Sequence, residues 1–186
     1  TYLQLDEVAL AMLCDEKVCS IVTERGGDPH QLAARYAQLI NNTIVGLPDE
    51  VRVGLHLCRG NLRGSWLSEG GYEGIAPLIF NKTKVDSFFL EYDDFRSGGF
   101  EPLRYLTQDK VIVLGLVTTK SPNLEKADDL KRRVDQASRY VSMDNLAISP
   151  QCGFSSTVAG NPLTEDDQWR KMDLLVSIAE DVWGDH

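Results

Sequence analysis

Apolar residues along this chain gather into five short runs, each followed by a stretch with helical spacing. Tyr2-Leu3-Gln4-Leu5 reads as a strand that gives out at Asp6-Glu7. Val8 to Ile21 is apolar but interrupted by Asp15, Glu16 and Lys17, which predicts loop and a short helix. Gly26-Gly27-Asp28-Pro29 is a break and a helix start, with Asp28 as N-cap, Pro29 at the first helical position and Gln31 placed for a capping box. That helix continues through Leu32, Ala33, Tyr36, Leu39 and Ile40 and stops near Gly46-Leu47-Pro48. Val51, Val53 and Leu55 alternate with Arg52, Gly54 and His56, a strand whose end carries His56 and Cys58.

A loop with Arg59, Gly60, Asn61, Arg63, Gly64 and Trp66 leads to a helix predicted over 72–81. Val85 to Leu90 is the next strand and ends in Glu91-Tyr92-Asp93-Asp94; a short helical piece follows around Glu101 to Leu106. Lys110 to Val117 is the most apolar strand and ends in Thr118-Thr119-Lys120. An amphipathic helix is expected over 124–141, a last strand at Leu146 to Ser149, and a final helix capped by Thr164 and stopped by Gly184. Five strand–helix alternations with continuous apolar strands predict an α/β fold with a parallel sheet covered by helices. No glycine-rich loop follows the first strand, which counts against a dinucleotide-binding sheet.

Composition narrows the function classes. At 186 residues, 42% hydrophobic and 25% charged, the chain has the make-up of one globular domain. A net charge of −9 argues against a nucleic-acid backbone or an anionic membrane as partner. No apolar run is long enough to span a bilayer. Cys14, Cys19, Cys58 and Cys152 read as reduced cysteines of a cytoplasmic enzyme, not a disulfide framework. A chain that opens at Thr1 directly in a strand reads as part of something longer.

Chemistry collects at the strand ends: Asp6-Glu7, His56-x-Cys58, Glu91, Thr118-Thr119-Lys120 and Cys152. In a (β/α) barrel those ends share the face on which active sites are built. His56 and Cys58, two apart on a strand, point the same way. Two thiolates, an imidazole and a carboxylate make a set suited to zinc, drawn from three strands and so suited to catalysis more than to nucleating a small fold. Three anionic ligands leave the ion at a net charge of about −1, a poor water activator but a good host for a thiolate substrate. Cys14, Cys19, His30 and His186 lack such company and read as structural or surface residues.

At these residues the chain resembles the catalytic domain of cobalamin-independent methionine synthases and their shorter relatives. The motifs are Leu3-Gln4-Leu5-Asp6-Glu7, His56-x-Cys58, Phe89-Leu90-Glu91 and Ser149-Pro150-Gln151-Cys152-Gly153. The resemblance implies a (β/α)₈ TIM-type barrel, of which residues 1–186 supply about the last five β/α units as a single domain. It implies zinc held by His56, Cys58, Glu91 and Cys152, with Asp6 at the substrate amino group and Glu7 beside it as a further substrate-binding residue. It implies methyl transfer from 5-methyltetrahydrofolate to a thiol such as homocysteine.

Two features depart from that pattern. Thr118 and Lys120 stand where the family has an aspartate and a histidine, which makes Lys120 the candidate acid; an unperturbed lysine at about 10.4 needs burial for that role. The first three strands are missing, so both sheet edges are expected to be exposed and to associate with the missing barrel half or with another copy. The competing readings are zinc-thiolate alkyl transfer from an epoxide to a thiol cofactor, a non-catalytic barrel remnant, and a metal-free barrel of the uroporphyrinogen decarboxylase type.

Overall fold

The computed structural model describes residues 1–107 and 109–184; His186 lies outside them. Five strands, β1 (Tyr2–Glu7), β2 (Arg52–Leu57), β3 (Ser87–Glu91), β4 (Val111–Val117) and β5 (Leu146–Pro150), form one sheet in the order of the sequence. Every pair is parallel. Parallel neighbours in chain order need crossovers of one hand, which puts every connecting helix on the same side of the sheet.

Burial follows from that winding. Val53, Leu55 and Leu57 of β2, Phe88 and Leu90 of β3, and Ile112, Leu114 and Leu116 of β4 are buried toward the helices. Each such side chain contributes about 1.5–3 kcal/mol when fully buried. The intervening residues line the other face, where the register sets Asp6 beside His56, His56 beside Phe89, Phe89 beside Val113 and Val113 beside Ala147. Two residues further on, Glu91, Gly115 and Ser149 form the next row. Among the described residues β1 and β5 each pair on one side only.

The helices are α1 (Ala9–Met12), α2 (Glu16–Glu24), α3 (Pro29–Thr43), α4 (Ala76–Lys82), α5 (Ala127–Ser138) and α6 (Glu165–Trp183). Three differ from expectation. The stretch expected as loop and one short helix holds two helices, because the Asp15 carboxylate accepts from Lys17 N–H and restarts the chain as α2. The single helix expected over 72–81 is a 3₁₀ turn (Tyr72–Gly74) followed by α4, with Pro77 in the first turn of α4. α5 is shorter at both ends than 124–141. At α3, Asp28 caps the N–H groups of His30 and Gln31 as expected, but Gln31 reaches the Asp28 carboxylate and not its backbone. Thr164 and Asp167 form the complete reciprocal box at α6.

A backbone detail sets the site. The β4–β5 register shifts between Gly115 and Val117, and Gln151 N–H donates to Val117 O at 2.7 Å. A Cβ at Gly115 would lie 2.9 Å from both Leu90 O and the Cα of Gln151. Only glycine lets the end of β5 come this close to β3.

Candidate metal centre

His56 and Cys58 leave the end of β2 on the same side, and Cys152 follows the end of β5. One donor atom from each lies within 4.8 Å of the other two, with Cys58 buried and His56 and Cys152 half-buried. Hydrogen bonding with Cys58 pulls the Cys152 thiol well below its ordinary range; burial opposes this and the His56 imidazole assists it. The same contact, then burial, pushes Cys58 up, partly offset by the Gly60 N–H. The contact between the two sulfurs thus favours the thiolate on Cys152 and the thiol on Cys58. His56 Nε2 is buried with no hydrogen-bond partner, which costs about 1–3 kcal/mol unless something binds it. An orphaned imidazole nitrogen beside a thiolate and a thiol is a donor set that fits a zinc ion.

Glu91 stands apart from that group. Its Oε1 is ion-paired with Arg96, and its Oε2 accepts from Gln151 Nε2 at 2.6 Å and from Arg59 N–H at 3.1 Å. The Glu91 charge still lies close enough to help raise Cys58. Asp6 is exposed on β1 and accepts from Gln4 Nε2 at 2.9 Å. It shares a cleft of about 180 Å³ with His56, Phe89 and Cys152. The Glu7 carboxylate accepts from Leu10 N–H at 2.9 Å and so serves the start of α1. Lys120 is buried, with Nζ 3.3 Å from Asp93 Oδ2.

Much of the support comes from residues the sequence patterns do not single out. Arg59 is fully buried, donating from Nε to Gly70 O at 2.7 Å and from Nη1 to Tyr72 Oη and Glu91 O. Asn61 Nδ2 bridges Thr119 Oγ1 at 3.1 Å and Gly153 O at 3.2 Å, and Thr119 Oγ1 donates to Gln151 Oε1 at 3.1 Å. Asn161 Nδ2 holds Thr119 O at 2.8 Å. These contacts lock the loops after β2, β4 and β5 around Cys152. The signal available was an arginine shortly after two of the strand ends: Arg59 after Cys58, and Arg96 after Asp93-Asp94. Cys14 and Cys19 lie elsewhere; all four cysteines are free, and Cys19 Sγ donates to Leu13 O at 3.3 Å.

The model of the cobalamin-independent synthase catalytic domain matches residues 2–168. The chain belongs to that family. It is 51% identical over 183 residues to the uncharacterized protein YxjG of Bacillus subtilis and 46% identical to YxjH of the same organism. Each match covers 98% of this chain and 48% of the relative, so the chain spans about half the length of these proteins. A Listeria monocytogenes protein given the provisional description of vitamin-B12-independent methionine synthase is 37% identical, with a TM-score of 0.76 over 99% of this chain and 49% of that one. A B12-independent methionine synthase from Shewanella sp. W3-18-1, solved with selenomethionine, superposes with a TM-score of 0.70 at 21% identity, over 98% of this chain and 48% of its own, and speaks for the fold. The five-stranded sheet is thus a wall of the (β/α)-barrel type, and among the described residues no helix is long and apolar enough to cross a membrane.

Proposed function

We propose that this chain carries the zinc half of a thiol methyltransferase that moves a methyl group from 5-methyltetrahydrofolate to a thiol such as homocysteine, giving a thioether such as methionine. The observation that carries the reading is the meeting of His56, Cys58 and Cys152 donors within 4.8 Å at strand ends, with His56 Nε2 buried and unpartnered. Family membership supports methyl transfer as the reaction class.

His56, Cys58 and Cys152 would hold the ion. Zinc bound there supplies a Lewis acid that keeps the acceptor thiol in its thiolate form near neutral pH. Asp6, across the small cleft from Cys152, is the carboxylate for the ammonium of an amino-acid thiol. As the sulfur forms its bond to the methyl carbon, the bond from that carbon to the donor nitrogen breaks and the nitrogen takes a proton. Lys120, desolvated and held at 3.3 Å by Asp93, is the residue we assign to that proton. The open edges of β1 and β5 are read as pairing with the remaining strands of the barrel, or with a second copy of the chain.

The test is product formation by the protein at its native length. It is offered homocysteine with 5-methyltetrahydrofolate, with other methyl donors, and separately a thiol cofactor with an epoxide. Methionine that appears only with zinc and vanishes in Cys152→Ser supports the reading. A folded, zinc-loaded protein that makes thioether only from the epoxide moves the assignment to the other alkyl donor. One that makes none overturns it.

A further inference from the structure

Residues two apart on a strand share a face, so Tyr2, Gln4 and Asp6 of β1 stand in one row on the side of the sheet that carries His56. Their side chains are joined end to end. Tyr2 Oη donates to Gln4 Oε1 at 3.0 Å, and Gln4 Nε2 donates to Asp6 Oδ1 at 2.9 Å. The direction of this row follows from its last member. An ionised carboxylate only accepts, so the amide must turn its NH₂ to Asp6 and its oxygen to Tyr2, which then has to donate. Burial, and after it the Asp6 charge, raises the Tyr2 hydroxyl above its ordinary range, which keeps that donor protonated. Tyr2 packs over β2 at Gly54, with its ring centre 6.3 Å from that of Phe89. A Cβ at Gly54 would collide with the Tyr2 hydroxyl and come within 2.9 Å of the Phe89 ring. The glycine inside β2 thus makes room for the tyrosine. Gln4 and Asp6 also line the cleft of about 180 Å³ that reaches Cys152.

We propose that Gln4 is a positioning residue, its amide set by Tyr2, that aims the Asp6 carboxylate at the ammonium of an amino-acid thiol in this cleft. This rests on the assignment of Asp6 in the reading above and extends it to the residues behind that carboxylate. Gln4 occupies one oxygen of Asp6; the other has no hydrogen-bond partner among the described residues and is left for the ammonium. Charge-assisted hydrogen bonds are the strong ones, and their strength depends on geometry. An aspartate on an exposed strand has no packing to fix it, so the hydrogen bond from Gln4 supplies the constraint. The amide has two ends of opposite character. Turned round, it would set its oxygen against an oxygen of Asp6, two acceptors facing each other. Tyr2, as a donor, removes that alternative. The row therefore favours thiols that carry an amino group over thiols that lack one.

The test is calorimetric titration of the zinc-loaded protein at its native length with homocysteine and with 4-sulfanylbutanoate, the same thiol acid without the amino group. Gln4→Met keeps the length of the side chain and is expected to weaken homocysteine by about 5-fold, the worth of one hydrogen bond, while leaving 4-sulfanylbutanoate unchanged. Tyr2→Phe is expected to weaken homocysteine by about 3-fold on its own and to add nothing in the Gln4→Met background, because it acts through Gln4. The second ligand separates positioning from damage to the fold, which would weaken both thiols alike. Gln4→Met and Tyr2→Phe variants that bind homocysteine as the wild type does, or that lose both thiols equally, overturn the proposal. The Asp6 assignment fails separately: a wild type that binds neither thiol or both alike, or an Asp6→Asn variant that keeps full homocysteine affinity, overturns that reading whatever Gln4 does.

Discussion

The hydroxyl of Tyr72 accepts from the backbone N–H of Glu91 at 2.9 Å and donates to Leu57 O at 2.8 Å. One buried phenol thereby fixes the ends of β2 and β3, the strands that deliver His56, Cys58 and Glu91. Arg59 Nη1 lies 3.2 Å from the same oxygen, and its guanidinium sits 4.2 Å from the Tyr72 ring centre. Burial first of all, offset in part by Arg59, raises the hydroxyl above its ordinary range, so it stays protonated. Tyr72→Phe leaves a buried N–H and a buried carbonyl short of partners. Urea denaturation should show a loss of about 1–3 kcal/mol, with unchanged secondary structure.

Gly115→Ala should cost more than an ordinary strand substitution. Its methyl group would press on two backbone groups, Leu90 O and Gln151 Cα, each at 2.9 Å. Neither can swing aside as a side-chain tip could. Stability should fall by about 1–3 kcal/mol, and zinc uptake should fall with it, because Gln151 precedes Cys152. A control at Gly153, where a new Cβ meets nothing within 4 Å, should change stability far less.

The two thiols of the centre should titrate in opposite directions in the metal-free protein. Hydrogen bonding with Cys58 lowers Cys152, and the reciprocal contact raises Cys58. Iodoacetamide followed by mass mapping should label Cys152 at a rate that holds nearly steady from pH 8 down to pH 6, since its thiolate persists. Labelling of Cys19, which burial raises, should drop about tenfold per pH unit as a thiol titrating above that range must. The linkage signs follow. The lowered Cys152 contributes stability that is complete above the ordinary thiol range and is lost as pH falls through its depressed value. The raised Cys58 contributes stability that is complete below the ordinary range and is lost as pH rises through its elevated value. Labelling of Cys58 ahead of Cys152 at pH 7 would contradict the arrangement.

Lys171 of α6 is fully buried and donates to Asn123 O at 2.6 Å and to both oxygens of Glu125, one of which accepts from Thr118 N–H at 2.9 Å. This contact holds the last helix on the loop that carries Lys120. Lys171→Met leaves Glu125 without its cation and should cost about 3–5 kcal/mol by denaturation, the range for breaking a buried pair. Lys171→Met with Glu125→Gln should recover part of that.

Periodicity made the sheet legible. Alternation of Val51, Val53 and Leu55 with Arg52, Gly54 and His56 located β2 and put His56 and Cys58 on one side of it, and the apolar stretch from Lys110 to Val117 located β4. Helix ends were less legible where caps sit inside apolar stretches, as Asp15 does before α2, or where Pro77 interrupts a run. Cys152 could be found because it follows a strand. The surroundings of Glu91 could not: Arg96 lies on a 3₁₀ turn beyond it, and Gln151 reaches it across 60 residues only because the register shifts at Gly115. Such contacts depend on backbone geometry that spacing does not carry.

The most direct test of the central claim is metal content. The protein at its native length, purified without chelators from zinc-supplemented cells, should carry about one zinc per chain, and Cys58→Ser, Cys152→Ser and His56→Ala should each remove it while the fold persists by circular dichroism. A well-folded wild type that carries no zinc and takes none up on titration would contradict the account.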